Sequence, residues 1–322
     1  MTDLPPDPLP DLAPGDRVGF VGLGRMGGPM LGRLAAGGYR VTGYDADPSA
    51  RERVRRTVPA ATIVDDLAAV PVDAAAVVLM LPDSAVVQAV LDGLAGHLSP
   101  GQIVVDMGSS EPSETVRHGT ALAAAQVGLV DAPVSGGVSG AEAGTLTIMV
   151  GGGDADTRRV APLLSQLGGR SVRVGPIGAG HAVKALNNLL SASHLLATSE
   201  ALAVARRFGL DARTVLDAIN TSSGRSGSSE VKWPRYVVPQ TYDSGFALRL
   251  MLKDVGIAVS LAHAVGGAAP HAEETARLWS AAAEALPPGA DHTEIARWVG
   301  ERADAAPVSG PTSGPSQPDR QE

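Results

Sequence analysis

RVGFVGLGRMGGPM (17–30) decides the fold class. Residues 17–21 form a short apolar run of strand type and lead directly into Gly22, Gly24 and Gly27. A lone G-x-G-x-x-G is a weak pattern. Here it opens a helical segment over 26–36, and a second strand over 39–44 ends in Asp45, 23 residues after the first glycine. Strand, glycine turn, helix, strand and acid in that order make the context of a dinucleotide-binding fingerprint. Gly22 permits the tight turn, Gly24 lets a pyrophosphate approach the backbone, and Gly27 allows close helix–strand packing. Leu23, Arg25 and Met26 complete the loop, whose free N–H groups and helix dipole suit phosphate oxygens. Asp45 is placed to accept hydrogen bonds from the adenosine ribose and to repel a 2′-phosphate. Residues 46–48 (Ala-Asp-Pro) offer no arginine, although Arg51 and Arg53 follow. NAD is therefore expected, with NADP less favoured. The plain alternative, a glycine turn with no ligand, fits the surrounding context poorly.

Downstream, strand-like runs at 75–81, 103–107, 129–132, 145–150 and 172–174 alternate with helical segments that start at 48 and cover 84–94, 111–126 and about 156–167. Such alternation predicts a mostly parallel, doubly wound α/β sheet of Rossmann type. Ligands in such sheets sit beyond the carboxyl ends of the strands. Leu81-Pro82, Gly108-Ser109-Ser110 and residues 133–137 occupy such ends and are expected to line one crevice with the glycine loop.

The pattern changes at GPIGAGHAVKALNN (175–188). A long helix is expected over 178–208, apolar nearly all round, stopping at Phe208-Gly209. Lys184 and Asn188 are one turn apart on one of its faces. Asp211 caps a short helix to 219, residues 220–229 read as a loop, and 232–245, with two prolines, read as irregular. Further helices are expected over 246–265, 270–286 and 293–302. The expected organisation is a flexible tail (1–15), a Rossmann domain (16–176), an all-helical substrate and oligomerisation domain (177–303) and a disordered tail (304–322).

Composition narrows the function. The 322 residues are 44% apolar with a net charge of −8, and no basic tract suggests nucleic acid. Cysteine is absent, which removes thiolate metal sites and a thiol nucleophile and suits the cytoplasm. The histidines are scattered, so no metal site is expected. Neither a secretory signal nor a membrane span is evident.

Four stretches together resemble one family, the β-hydroxyacid dehydrogenases of the 3-hydroxyisobutyrate dehydrogenase type. GFVGLGRMGGPM (19–30) is similar to the family's cofactor signature and DAPVSGG (131–137) to its substrate signature. GAGHAVKALNN (178–188) is similar to its catalytic signature and FALRLMLKDVGIA (246–258) to its C-terminal helix. The resemblance covers about 17–300. It implies NAD(P)-linked oxidation of a hydroxyl on a small carboxylic acid, with Lys184 as catalytic lysine and Asn188 as its partner. It further implies that Ser135, Gly136 and Gly137 grip the substrate carboxylate, that Lys253 lies near the closed site, and that Pro82 and Ser109 lie in loops that contact the nicotinamide half, beside Leu81 at the strand end. One departure stands out: Gly108 replaces a hydroxyl residue common in relatives, which bears on the nicotinamide contacts.

The chemistry agrees with that assignment. Oxidising an alcohol needs a hydride acceptor, which the cofactor supplies, and a proton acceptor, which the protein supplies. A lysine serves if burial or a nearby positive charge lowers its pKa. Blander readings exist for each residue. Lys184 would be a snorkelling helix-edge lysine, Asn188 a bridge, Ser135 part of a plain turn, and Lys253-Asp254 a solvated face. His181 and His194 read as structural, and Arg225 is open between a surface and a specificity role. Residues 222–234 and 244–254 look most like the 3-hydroxyisobutyrate type, with L-threonate or tartronate semialdehyde/glyoxylate-type chemistry as alternatives. An imine reductase typically lacks the lysine; a non-catalytic cofactor-binding protein or a structural role would not need it. The long apolar helix predicts a homodimer or homotetramer.

Overall fold

The computed structural model describes residues 9–305. Its sheet has nine strands, built around β1 (Arg17–Val21), β2 (Arg40–Tyr44), β3 (Thr62–Ile63), β4 (Ala76–Leu79), β5 (Ile103–Asp106) and β6 (Gly128–Asp131). These six are parallel in the order β3-β2-β1-β4-β5-β6, the doubly wound order of dinucleotide-binding sheets. β4 and β5 are buried at every position, as strands covered on both faces must be. The sheet continues through β8 (Leu146–Gly151), which meets β6 antiparallel at a single pair, Asp131 with Gly151. β7 (Val134–Ser135) is antiparallel to β8 and β9 (Gly168–Gly175) is parallel to it.

Helices cover both faces. On one, α1 (Gly27–Ala36) and α6 (Asp154–Leu167) bury Met30, Leu31, Leu34, Val160, Leu163 and Leu167 against the strands. On the other, α3 (Ser84–Leu94) buries Val87, Leu91 and Leu94. α2 (Pro48–Thr57) and α4 (Pro112–Ala124) complete the layers, each with proline in its first turn, where the missing N–H costs nothing. Asp47 caps α2 and Asp83 caps α3 through side-chain oxygens.

The rest is helical: α7 (Ala179–Phe208), α8 (Ala212–Asn220), α9 (Leu248–Ala264), α10 (Pro270–Ala285) and α11 (Ile295–Ala305). Leu195, Leu248, Val255, Trp279 and Ile295 form the centre of a separate apolar core. Gly209 closes α7 at φ 94°, the left-handed C-terminal stop.

Three expectations need correction, and one short helix had no counterpart in the sequence reading. Residues 9–15 are not a free tail: Leu12 is buried and its N–H donates to the Arg159 carbonyl of α6; residues 1–8 lie outside the described residues. At the other end α11 runs to Ala305, beyond the expected boundary, and 306–322 lie outside the described residues. Residues 137–143 form a short helix, α5 (Gly137–Ala143). Residues 228–237, expected to be loop and irregular chain, instead wind as a π-helix (Ser228–Val237) that contains Pro234. At its end the Val238 N–H reaches back five residues to the Trp233 carbonyl.

Candidate active site

The glycine loop has the geometry its spacing implied. Gly22 sits at φ 98°, and a Cβ there would lie 2.3 Å from the Met80 carbonyl oxygen. A Cβ on Gly27 would lie 1.8 Å from the Gly22 oxygen, so only glycine lets α1 begin there. A Cβ on Gly24 would meet nothing within 4 Å. That open face, beside the amino end of α1, fits a pyrophosphate. Leu23 is buried beneath the loop, Arg25 is exposed above it, and Met26 packs partly into the core.

Asp45, at the end of β2, accepts the Leu23 N–H at 2.6 Å and the Asp47 N–H at 2.8 Å. Its carboxylate is therefore fixed beside the loop. Arg51 donates to the Asp45 carbonyl at 2.6 Å and pairs with Asp65, while Arg53 donates to the Leu23 carbonyl at 2.7 Å. Both guanidiniums are already engaged with the backbone around the acid.

Asp131 joins the sheet to the helical part. It is fully buried at the end of β6 and accepts the N–H groups of Gly178 and His181, both at 2.9 Å. These lie at the amino end of α7, where a carboxylate also meets the positive end of the helix dipole. Gly151 and Gly180 keep the junction tight: a Cβ on Gly180 would lie 2.5 Å from the Met149 oxygen. His181 is buried, as a structural residue would be. Its Nδ1 shares a hydrogen bond with the Thr115 hydroxyl at 2.8 Å, and its Nε2 is 3.7 Å from Asp106. His194, by contrast, is exposed.

One turn beyond His181 stands Lys184. Its ammonium makes no hydrogen bond or ion pair among the described residues. Burial pushes its pKa below the ordinary 10.5; Asp254 opposes this and Lys253 reinforces it. Asn188, buried on the same face, donates to Asp254 Oδ2 at 2.5 Å. Asp254 is buried too and pairs with Lys253 at 3.0 Å. Lys253 in turn donates to the Ser109 carbonyl at 2.6 Å, reaching the loop after β5. Asn188, Asp254, Lys253 and Ser109 thus form one chain of contacts from α7 through α9 to the sheet. Lys253-Asp254 is accordingly not a solvated face.

Ser135, Gly136 and Gly137 approach from β7 into the first turn of α5, with Gly136 at φ 140° and Gly137 at φ 65°. The Ser135 hydroxyl has no internal hydrogen-bond partner among the described residues. The next residue, Val138, and Arg25 both border Gly245, whose Cβ would lie 3.9 Å and 3.2 Å from them. The loop 244–245 therefore links the glycine loop, the Ser135 turn and the helical part. Asp291 holds it in place, accepting from Ser244 and from the Gly245 N–H at 2.8 Å each. No bond joins Ser135 directly to Lys184.

Leu81 and Pro82 follow β4 beside this wall. Gly108 explains its own departure from the family pattern: a Cβ there would lie 2.5 Å from the Leu81 oxygen. Arg225 is a surface residue paired with Glu230 at 3.7 Å.

Four residues at the site were not singled out from sequence. Asp254 was visible only as the partner of Lys253. Asp131 opened a quoted motif, but its role depends on a helix 47 residues away. Lys232 and Ser191, whose side chains meet at 2.6 Å, left no sequence signal at all.

An open-backed glycine loop, an acid at the end of β2 and a half-buried lysine on the adjoining helix are features of nicotinamide-dinucleotide-dependent oxidoreductases. Comparison with known proteins gives the particular family. Residues 17–175 match the NAD-binding domain of 6-phosphogluconate dehydrogenase. Residues 178–299 match a domain described as the NAD-binding domain of NADP-dependent 3-hydroxyisobutyrate dehydrogenase. The chain is 37% identical to 2-(hydroxymethyl)glutarate dehydrogenase of Eubacterium barkeri over 76% of its own length and 81% of the relative's. It is 35% identical to 3-hydroxyisobutyrate dehydrogenase of Pseudomonas aeruginosa over 86% and 96%. Among solved structures, 3-hydroxyisobutyrate dehydrogenase of Mycobacterium tuberculosis with L-serine superposes with a TM-score of 0.83 at 28% identity, covering 88% of this chain and 99% of that one. The chain belongs to the β-hydroxyacid dehydrogenase family and is an oxidoreductase of hydroxyl groups. Among the described residues, no group of acids and histidines is arranged to hold a metal ion, and no helix is long and apolar enough to cross a membrane.

Proposed function

We propose that this chain is an NAD-dependent dehydrogenase of a small β-hydroxy acid of the 3-hydroxyisobutyrate type. It is read as a cytoplasmic enzyme with a Rossmann domain (16–176) and a helical domain (177–303), its active site lying between them. The observation that carries the reading is Lys184, a half-buried lysine with no partner among the described residues, one turn from an asparagine locked by Asp254.

A nicotinamide dinucleotide held by the glycine loop and Asp45 would supply the hydride acceptor for oxidation and the hydride donor for the reverse reaction. Lys184, neutral, takes the hydroxyl proton during oxidation; as ammonium, it returns the proton in the reverse direction. Asn188, fixed by Asp254, orients the hydroxyl beside it. Ser135 and the N–H groups of Gly136 and Gly137 hold the carboxylate. Fixing both ends of a small substrate is worth a large part of the rate. Because the pKa of Lys184 lies below 10.5, oxidation is expected to speed up with rising pH over a range beneath that value, and reduction to slow over the same range. A pH–rate profile of kcat/KM in both directions checks this.

NAD is favoured because the Asp45 carboxylate, fixed beside the glycine loop, would repel a 2′-phosphate. Arg51 and Arg53, already bonded to neighbouring backbone, are less available to that phosphate. Asp45→Ala is expected to weaken NADH binding about tenfold, as loss of a charge-assisted hydrogen bond does, and to relax discrimination against NADPH. Fluorescence titration with the two reduced cofactors measures both effects, and unchanged affinities would remove Asp45 from the site.

A homodimer or homotetramer is favoured by the apolar stripe along α7, where Leu186, Leu190, Val204 and Phe208 are exposed, the last at 81%. Light scattering that returned a monomer would reject it.

The decisive experiment follows reduction of NAD⁺ and NADP⁺ with a panel of hydroxy acids: 3-hydroxyisobutyrate, L-serine, glycerate, L-threonate and 2-(hydroxymethyl)glutarate. Turnover of one acid with NAD⁺ supports the reading. No turnover of any acid, with cofactor binding intact, rejects it.

A further inference from the structure

Lys232 has no place in the chemistry so far. The π-helix 228–237 carries it, and its Nζ donates to the Ser191 hydroxyl at 2.6 Å. Ser191 lies seven residues after Lys184, so Lys184, Asn188 and Ser191 line one face of α7. An exposed lysine would extend to water. This one folds inward and brings a second ammonium to the catalytic lysine's face.

Nothing among the described residues neutralises it. Among the described residues no carboxylate lies within ion-pair distance of Lys232, and its only hydrogen-bond partner is the neutral Ser191 hydroxyl. Asp291 is the acid that favours its charge, but that carboxylate is occupied by Ser244, Gly245 and Thr293. Burial therefore pushes the lysine's pKa down to about 8; Asp291 opposes the shift and Lys184 adds to it. Two unpaired ammonium groups on one wall are costly unless a ligand brings negative charge.

We propose that Lys232, positioned by Ser191, is the anion subsite for a second carboxylate of the substrate, so that the preferred hydroxy acid is a dicarboxylate. This rests on the hydroxy-acid dehydrogenase reading, in which Ser135, Gly136 and Gly137 hold the first carboxylate. One ammonium and one hydroxyl present two donors, which suits the two oxygens of a carboxylate. A phosphate dianion more commonly recruits a helix amino end or an arginine fork.

The test compares wild-type enzyme with Lys232→Met, Lys232→Arg and Ser191→Ala on 2-(hydroxymethyl)glutarate and its monocarboxylate counterpart 2-(hydroxymethyl)pentanoate. The readout is the ratio of kcat/KM for the two acids. That ratio cancels any shift Lys232 imposes on Lys184, because both substrates feel it equally. Wild type is expected to favour the diacid, and Lys232→Met to lower the ratio by about 10- to 100-fold, the range for losing one charged hydrogen bond. Lys232→Arg is expected to restore part of it, and Ser191→Ala to lower it less than the methionine does. An unchanged ratio in Lys232→Met, or no preference in wild type, overturns the proposal. Calorimetric titration with glutarate and with butyrate, neither bearing the reacting hydroxyl, separates the two readings. If glutarate binds in a Lys232-dependent way but no hydroxy acid turns over, the subsite stands and the dehydrogenase reading fails. If glutarate binds no better than butyrate, the subsite fails. If inorganic phosphate binds more tightly than glutarate, the carboxylate assignment is overturned.

Discussion

Lys184→Met is expected to lower kcat for hydroxy-acid oxidation by about 10²–10⁴-fold, the usual loss of an acid–base group, while NADH binding stays nearly intact. In the proposed reading the glycine loop and Asp45 hold the cofactor from the sheet, and the hydrogen bonds that fix Asp45 beside the loop do not involve α7. The variant should also be no less stable than wild type. Burial depresses the lysine's folded-state pKa below the unfolded 10.5, so over the intervening range the unfolded chain binds more protons than the folded one. Stability of the wild type therefore rises with pH in that window. Methionine removes the desolvation cost, and its advantage should shrink as pH approaches 10.5. Denaturant unfolding at several pH values beside steady-state kinetics tests both halves. Full activity in the variant would remove Lys184 from the chemistry, and marked destabilisation would show that the lysine holds the fold.

Asp131→Ala is expected to be the most damaging single change to the fold. It leaves the Gly178 and His181 N–H groups without their acceptor in a buried place and removes the anion at the start of α7. A lost cap plus orphaned donors costs about 2–5 kcal/mol, which for a chain of this size lowers the thermal midpoint by roughly 5–15 °C. Asp131→Asn retains one acceptor and should fall between. Because Lys184 lies one turn beyond His181, kcat should drop in any variant that still folds, with cofactor affinity less affected. An unchanged thermal midpoint in Asp131→Ala would show that the junction is held elsewhere.

The sheet and its cofactor face were legible in the sequence because the reasons there are local. Gly22 and Gly27 answer to atoms of the neighbouring strand's end and of the loop itself, and buried parallel strands such as 76–79 write themselves as unbroken apolar runs. Lys184 and Asn188 were legible because one helical turn links them, and the family resemblance supplied Lys253. The misses share a different cause. α5 is built of small residues between glycines and has no apolar period to read. The helix at 228–237 contains Pro234, which argued against any helix, and its wider winding breaks the familiar spacing. Asp131, Asp254 and Lys232 owe their roles to contacts across 41 to 66 residues of chain. An acid or lysine gives no hint in its own neighbourhood of what will bury it.

The winding at 228–237 has a consequence for how this enzyme could change its diet. A π-helix differs from an α-helix by one extra residue accommodated in the turn. Dropping one residue before Lys232 would let that turn relax to the ordinary winding and rotate the side chains after it around the axis. Lys232 would swing off Ser191 while the serines at 228 and 229, both buried, kept their seat. On the proposed subsite, preference for one substrate length over another would then turn on an insertion or deletion of three nucleotides. Related enzymes could diverge in specificity through a shift of reading register in this one turn, with Lys184, Asn188 and the cofactor loop untouched.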